Sequence, residues 1–138
     1  MKKQIIENLY KAWNQDDPRL FDELISESYT IFSDPGDNWE GQTLNKDAYK
    51  IRVQYSRKTF PDLVFSISQL IHEQDRVAVI WSAEGTHLGD LPGIPATKKR
   101  LTFSGQTVYS IRDGKVSGHW QTIDRLGFYQ LLQARLLD

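Results

Sequence analysis

The sequence predicts an α+β domain, with helices first and an antiparallel set of strands behind them. Two patterns carry the expectation. Before Pro61 the apolar residues recur at helical spacing, and after it they alternate with polar ones. Asp113-Gly114, between the last two alternating runs, is the strongest short hairpin signal in the chain. Helices followed by a strand meander pack as helices on one face of a curved sheet.

From Lys2 to Asn14, Ile5, Ile6, Leu9, Tyr10 and Trp13 share one helical face. Asn14-Gln15-Asp16-Asp17 breaks it. Asp17-Pro18 then reads as an N-cap with proline at the first helical position, and Leu20, Phe21, Leu24 and Ile25 continue a short second helix. Tyr29 to Ser33 is β-prone and ends at the turn signal Asp34-Pro35-Gly36-Asp37. Ala48, Ile51, Arg52 and Tyr55 mark a third helix. Leu63, Phe65 and Ile67 open a strand, and Glu73-Gln74-Asp75 turns it into a second, Val77 to Thr86. Gly89 to Lys98, with two glycines and two prolines, is a loop. Leu101 to Arg112 and Lys115 to Ile123 are the hairpin strands. Helical spacing resumes from Arg125 to Leu137 through Leu126, Tyr129, Leu132 and Leu136.

Composition excludes several functions. Seventeen Lys and Arg against eighteen Asp and Glu leave a net charge of -1, so no basic field steers nucleic acid to the chain. No apolar run nears the roughly 20 residues of a membrane-spanning helix, and the start runs into an amphipathic segment instead of a signal-peptide core. Zero Cys removes disulfides, thiol catalysis and thiolate metal sites, and a cytoplasmic setting is the expectation. Neither a His-x-His pair nor a His-Glu-x-x-His occurs, so no metal is expected. Phosphate-cradling glycine loops and the nucleophile elbow are missing too.

A series of short segments is more specific in its order than any one of them is alone. Thr59-Phe60-Pro61-Asp62-Leu63 is followed by Gln74-Asp75-Arg76-Val77, Glu84-Gly85-Thr86-His87-Leu88-Gly89 and Gly93-Ile94-Pro95-Ala96-Thr97-Lys98-Lys99. Arg112-Asp113-Gly114-Lys115-Val116 and Trp120-Gln121-Thr122-Ile123-Asp124 complete it, with Gln130-Leu131 behind. The series resembles the SnoaL-like polyketide cyclases, in the superfamily of nuclear transport factor 2 and ketosteroid isomerase. The resemblance implies a cone: N-terminal helices packed on a strongly curved antiparallel β-sheet that encloses a pocket. It implies one SnoaL-like domain over residues 1–138, a homodimer through the sheet, no cofactor, and an intramolecular aldol closure on a hydrophobic carbonyl compound.

An aldol closure removes a proton beside a carbonyl and later protonates an alkoxide. One carboxyl serves both steps if burial raises its pKa. The resemblance puts that role on Asp124. Strand alternation places Trp120, Thr122 and Asp124 on one face, so Trp120 would supply the apolar wall; the alternative for Asp124 is the N-cap of the last helix. His87, just past a strand, either contacts a substrate carbonyl or satisfies the backbone of the Gly/Pro loop. His119 alternates away from Trp120 and is expected outside or at a subunit contact. Gln106, sharing a face with Ser104, Val108 and Ser110, is a handle for a ligand oxygen or a cross-strand partner. Trp13 and Trp81 are expected to line the pocket with Trp120, while Trp39 is a lid or an interface anchor.

The supposed inward positions Val108 and Ser110 carry no His, where the resemblance implies one. That departure favours a rival: a non-catalytic module that binds a small hydrophobic ligand or dimerises. A third function, epoxide opening or hydration, would need an Asp–Arg–Asp cluster, and the sequence does not place any of Arg52, Arg76, Arg100, Arg112 or Arg125 in the pocket. Leu101, Phe103, Tyr109 and Ile111, on the opposite face of their strand, motivate the expected sheet-mediated homodimer.

Overall fold

The computed structural model describes the backbone of residues 1–137 and the side chains of residues 1–132. Helix α1 (Lys2–Gln15) leads through a 3-10 turn (Pro18–Phe21) to β1 (Ile25–Ser33), a short β2 (Thr43–Leu44) and α2 (Lys46–Thr59). Strands β3 (Val64–Glu73), β4 (Arg76–Thr86), β5 (Arg100–Arg112) and β6 (Lys115–Ile123) follow, then α3 (Arg125–Leu137). They form one six-stranded sheet in the order β2-β1-β6-β5-β4-β3. β1 runs parallel to β6, while the other neighbours are antiparallel. The sheet is therefore mixed: β1 reaches its neighbour across the whole chain and not through a hairpin. Among the described residues no helix is long and apolar enough to cross a membrane.

Local chemistry explains the elements. Asp17 accepts from the Arg19 amide at 3.1 Å and Asn45 from the Ala48 amide at 2.8 Å, capping the 3-10 turn and α2. Asp113 and Gly114 both adopt positive φ, 52° and 75°, as a two-residue hairpin requires. Ile25, expected in a second helix, instead opens β1 opposite Val116 and is fully buried. Tertiary burial outweighs a few residues of helical spacing. On α2 the inward residues are Tyr49, Arg52 and Val53, and Ile51 points to solvent. On α3 Leu132 is buried but Leu126 is exposed, and Phe128 packs on Phe60 and Phe103. The side chain of Leu136 lies outside the described residues.

The helices cover the concave face. Asn14 at the end of α1 bonds both the Phe65 amide (2.8 Å) and the Phe65 carbonyl (3.0 Å), which satisfies the free edge of β3. Arg57 on α2 donates to the carbonyls of Trp13, Leu63 and Pro61, tying the end of α1 to the loop before β3.

One irregularity decides which residues face inward. In the β5–β6 ladder Ile111 opposes Val116 and Ser110 opposes Gly118, so Ser117 has no opposite residue. This bulge advances the alternation by one residue. Val116 points in, but beyond the bulge the inward residues are His119, Gln121 and Ile123. Counting straight from Val116 would have put Gly118, Trp120, Thr122 and Asp124 inside. Tyr109 opposes His119 and Val108 opposes Trp120, so the concave face of β5 carries Phe103, Gly105, Thr107 and Tyr109. The face read as inward in the sequence, Ser104-Gln106-Val108-Ser110, is the convex one.

Gly105 gives the concave wall its shape. A Cβ there would lie 2.5 Å from the Trp81 ring and 2.9 Å from the Thr122 carbonyl oxygen. Only glycine lets Trp81 lie flat across β5. Gly105→Ala is expected to cost about 1–3 kcal/mol of stability, measured as a lower urea midpoint with an unchanged m-value.

Candidate active site

Between the helices and the concave face lies a cavity of about 290 Å³. Its apolar wall includes Trp13, Phe60, Phe65, Trp81, Phe103 and Phe128. The rings meet mostly edge to face: Trp13–Phe65 at 5.5 Å and 71°, Phe65–Trp81 at 5.3 Å and 71°. Edge-on rings hold one another at fixed angles and leave space that flat stacking would fill.

The other end is polar and is organised by Asp34. This residue follows β1, in the turn the sequence marks, and is completely buried. The Glu40 carboxylate accepts from its amide at 2.7 Å, and its carbonyl accepts from the Asp37 amide at 2.9 Å. The carboxylate Oδ2 accepts from His119 Nε2 at 2.9 Å, Gln121 Nε2 at 3.0 Å and an Arg52 guanidinium nitrogen at 3.2 Å. Arg52 also lies 3.6 Å from Asp37, and Arg125 lies 3.9 Å from Asp34 Oδ1.

These bonds fix proton positions. A carboxylate with three donors on one oxygen is an acceptor, so His119 carries its hydrogen on Nε2. Its Nδ1 is then an acceptor, 2.6 Å from the Tyr29 hydroxyl, which must donate. The result is a relay in which Tyr29 donates to His119 and His119 donates to Asp34. Gln121 is oriented too: Trp81 Nε1 donates to Thr107 Oγ1 (2.9 Å), and that hydroxyl donates to Gln121 Oε1 (2.7 Å). The Gln121 amide nitrogen must therefore face Asp34.

Burial lowers the His119 pKa, the Asp34 bond opposes that shift, and the Arg52 charge adds to it, for a net value below the ordinary 6.5. Burial works against the Arg52 charge as well, but Asp37, Tyr29, Tyr49 and Asp34 hold its pKa above the ordinary value. Tyr29 and Tyr10 are pushed well up, chiefly by burial. Tyr49 is pushed up to about 12 for the same first reason.

The structure redistributes the residues singled out in the sequence. Trp13 and Trp81 line the cavity, as does Trp39, set edge-on against Tyr55. Trp120 does not: it stacks on Phe32 (4.3 Å, 11°) on the convex face, with Arg76 over its ring. Gln106 is exposed on that same face. Asp124 is exposed and caps α3, accepting from the Gly127 amide at 2.9 Å. His87 is fully buried beneath the loop before β5, with Nδ1 3.1 Å from Thr97 Oγ1, and is not part of the cavity wall. His119, expected outside, is 2% exposed and lies at the polar centre. Tyr29 lines the cavity, as its aromatic ring leads one to expect, and Arg52 is the one of the five candidate arginines that meets Asp34 and Asp37 together, while Asp34 and Gln121 carry no sequence signal of a site. Arg52, one helical turn beyond Tyr49, carried a signal, because a buried helix face seldom holds an Arg without an acid to meet it. Among the described residues no group of three or more His, Asp or Glu is placed to hold a metal ion.

A helix-covered curved sheet around an aromatic pocket with one buried polar end defines the cone fold of the nuclear transport factor 2-like superfamily. A family model described as SnoaL-like polyketide cyclase matches residues 3–132, and the chain belongs to that family. A candidate polyketide cyclase from Acidithiobacillus ferrooxidans superposes with a TM-score of 0.91 at 39% identity, covering 98% of this chain and 96% of that one. IdmH of Streptomyces antibioticus, likewise a candidate polyketide cyclase, gives 0.83 at 25% identity over 96% and 99%. The aklanonic acid methyl ester cyclases DnrD of Streptomyces peucetius and DauD of Streptomyces sp. strain C5 are each 46% identical to this chain over 50 residues. That stretch is 35% of this chain and about a third of these curated relatives, 33% and 30%.

Because the folded state depresses the His119 pKa, the unfolded chain binds more protons as pH falls through the ordinary value of 6.5. The stability contribution is present above that value and lost below it. The urea midpoint is expected to fall between about pH 7 and pH 5. His119→Gln should flatten the slope by up to about 1.4 kcal/mol per pH unit. The slope that remains belongs to His87, also depressed by burial.

Proposed function

We propose that the chain is a cofactor-independent enzyme that closes or rearranges a small hydrophobic, polyketide-like carbonyl compound by proton transfer. The observation that carries this is the His119 ring, held between Asp34 at 2.9 Å and Tyr29 at 2.6 Å on the wall of an aromatic cavity. Family membership supports the cyclase class, and the similar Streptomyces cyclases support an ester substrate.

The chemistry balances with these groups alone. The Tyr29 oxygen takes the proton from the carbon beside the carbonyl while the Tyr29 hydrogen passes to His119 Nδ1. The imidazolium so formed sits against the Asp34 carboxylate, which stabilises it. The enolate carbon attacks a second carbonyl of the same molecule, and the new alkoxide takes the proton back along the same path. One C–C and one O–H bond form, one C–H bond breaks, and nothing is oxidised or reduced. Tyr29 stays neutral until the transfer, because burial keeps its pKa high. Asp124, to which the family resemblance gives the acid–base role, is exposed at a helix cap, so we assign the proton to the buried relay.

Addition of water is a second chemistry with a specific observation behind it: Arg52 lies between Asp34 (3.2 Å) and Asp37 (3.6 Å). It would show as ¹⁸O from solvent in the product, whereas ring closure puts none there. We also propose pairing of two copies through the convex face, where Phe32, Ile80 and Val108 are exposed; Leu101, Phe103, Tyr109 and Ile111, the contact expected from the sequence, pack into the core on the other side. A sedimentation mass near 16 kDa at micromolar concentration would contradict it.

The test is hydrogen–deuterium exchange beside the carbonyl, followed by NMR over a panel of hydrophobic diketones and β-keto esters. The wild type should accelerate exchange in at least one. His119→Gln and Tyr29→Phe should lose about 100-fold or more, and Asp124→Asn should retain most of the rate. The reverse pattern would return the role to Asp124. Tight binding of the panel with no exchange would make the protein a binding module.

A further inference from the structure

Four of the six phenols that line the cavity are buried: Tyr10, Tyr29, Tyr49 and Tyr109. Each hydroxyl has one hydrogen to give. Tyr29 gives its hydrogen to His119. Tyr109 gives its own to the Tyr10 oxygen at 2.9 Å, and the Tyr10 hydrogen has no acceptor among the described residues. The Tyr49 oxygen lies 3.2 Å from Trp13 Nε1, and an indole N–H can only donate. The Tyr49 oxygen is thus the acceptor in that bond, and its own hydrogen has no acceptor among the described residues. A buried hydroxyl that receives a hydrogen bond and gives none is unusual, and the donation it receives makes it a stronger donor.

Tyr49 is 2% exposed and stands on α2 one turn before Arg52. Its ring centroid is 4.8 Å from that of Tyr29, the residue at which the proton relay opens. We infer that Tyr49 is the donor that receives the substrate's carbonyl oxygen, and the enolate oxygen formed from it, with Trp13 as the group that orients and polarises it. The inference rests on the carbonyl chemistry proposed above and adds an oxygen subsite to it. Burial, which pushes the Tyr49 pKa up to about 12, keeps the hydrogen in place at any pH where the protein would work. Tyr29 and Tyr109, whose hydrogens are committed, are not oxygen-binding groups on this account.

A flat ring bearing a phenolate oxygen mimics the enolate and fits an aromatic cavity. The test compares 4-nitrophenol, at a pH where it is ionised, with nitrobenzene, which has the same ring and lacks the oxygen. Binding is read by tryptophan fluorescence or equilibrium dialysis. The wild type should prefer the phenolate. Tyr49→Phe should lower that preference roughly ten- to a hundredfold, as loss of a hydrogen bond to a charged acceptor does, with nitrobenzene affinity held. Tyr109→Phe should leave the preference within about threefold. Should Tyr49→Phe alone lose structure because the Trp13 N–H is stranded, the double variant Trp13→Phe, Tyr49→Phe removes both partners and carries the same expectation. An unchanged preference in the Tyr49 variants, or an equal loss for nitrobenzene, would overturn the inference. The readout is equilibrium binding, so it fails separately from the reaction. A protein that binds phenolate through Tyr49 but exchanges no C–H proton rejects the reaction and keeps the subsite. One that exchanges protons with no phenolate preference rejects the subsite and keeps the reaction.

Discussion

The fold closes around one buried negative charge. Asp34 has no exposed surface, and an unpaired carboxylate in such a place would be neutralised or would unfold its surroundings. It is held by three donors from distant parts of the chain, Arg52 on α2 and His119 and Gln121 on β6. The same residue joins a helix, the last strand and the turn after β1. Removing one partner of a buried pair of this kind typically costs about 3–5 kcal/mol, because the other is left uncompensated. The position of α2 over the sheet and the inward aim of His119 are therefore parts of one electrostatic arrangement. The proposed function and the stability draw on the same atoms.

The aromatic lining complements that arrangement. The residues at the polar end are buried beside it, so the hydrogen bonds there act in a medium of lowered dielectric constant. The lining also holds orientation: Trp81 lies across Gly105 and passes a hydrogen bond through Thr107 to Gln121, which fixes the face of the amide presented to Asp34. A side chain in the apolar wall thus sets the geometry of the polar end. The cavity persists because stiff rings meet at their edges, where aliphatic side chains would pack more closely.

Much of the fold was legible in the sequence, because periodicity and turn chemistry are local. Asp113-Gly114 and the alternation from Leu63 onward formed the elements they predict, Asp17-Pro18 caps a 3-10 turn that stops at Phe21 where a longer helix was expected, and the order of the short segments led to the family. The polar site was less legible, for a definite physical reason. Inward and outward are assigned by counting in twos, and the extra residue at Ser117 exchanges them along the rest of β6. Trp120 also argued for the inside by its size, yet a convex stack with Phe32 under Arg76 satisfies it. Asp34 looked like turn punctuation, since nothing local announces that a turn carboxylate will be met by an Arg on one helix and a His near the end of the chain. Trp13 and Trp81, whose phase no bulge disturbs, were placed on the pocket wall from sequence.

The account stands on the protonation pattern of one ring, and ¹⁵N NMR of the His119 imidazole at neutral pH measures it directly. The relay predicts a neutral ring with the hydrogen on Nε2, shared with the Asp34 carboxylate, and a bare Nδ1 that accepts from Tyr29. The Nε2 hydrogen signal should vanish or move in Asp34→Asn, and the Nδ1 shift should move in Tyr29→Phe. A hydrogen on Nδ1, or a ring that titrates at the ordinary value of 6.5 and ignores both substitutions, would contradict it.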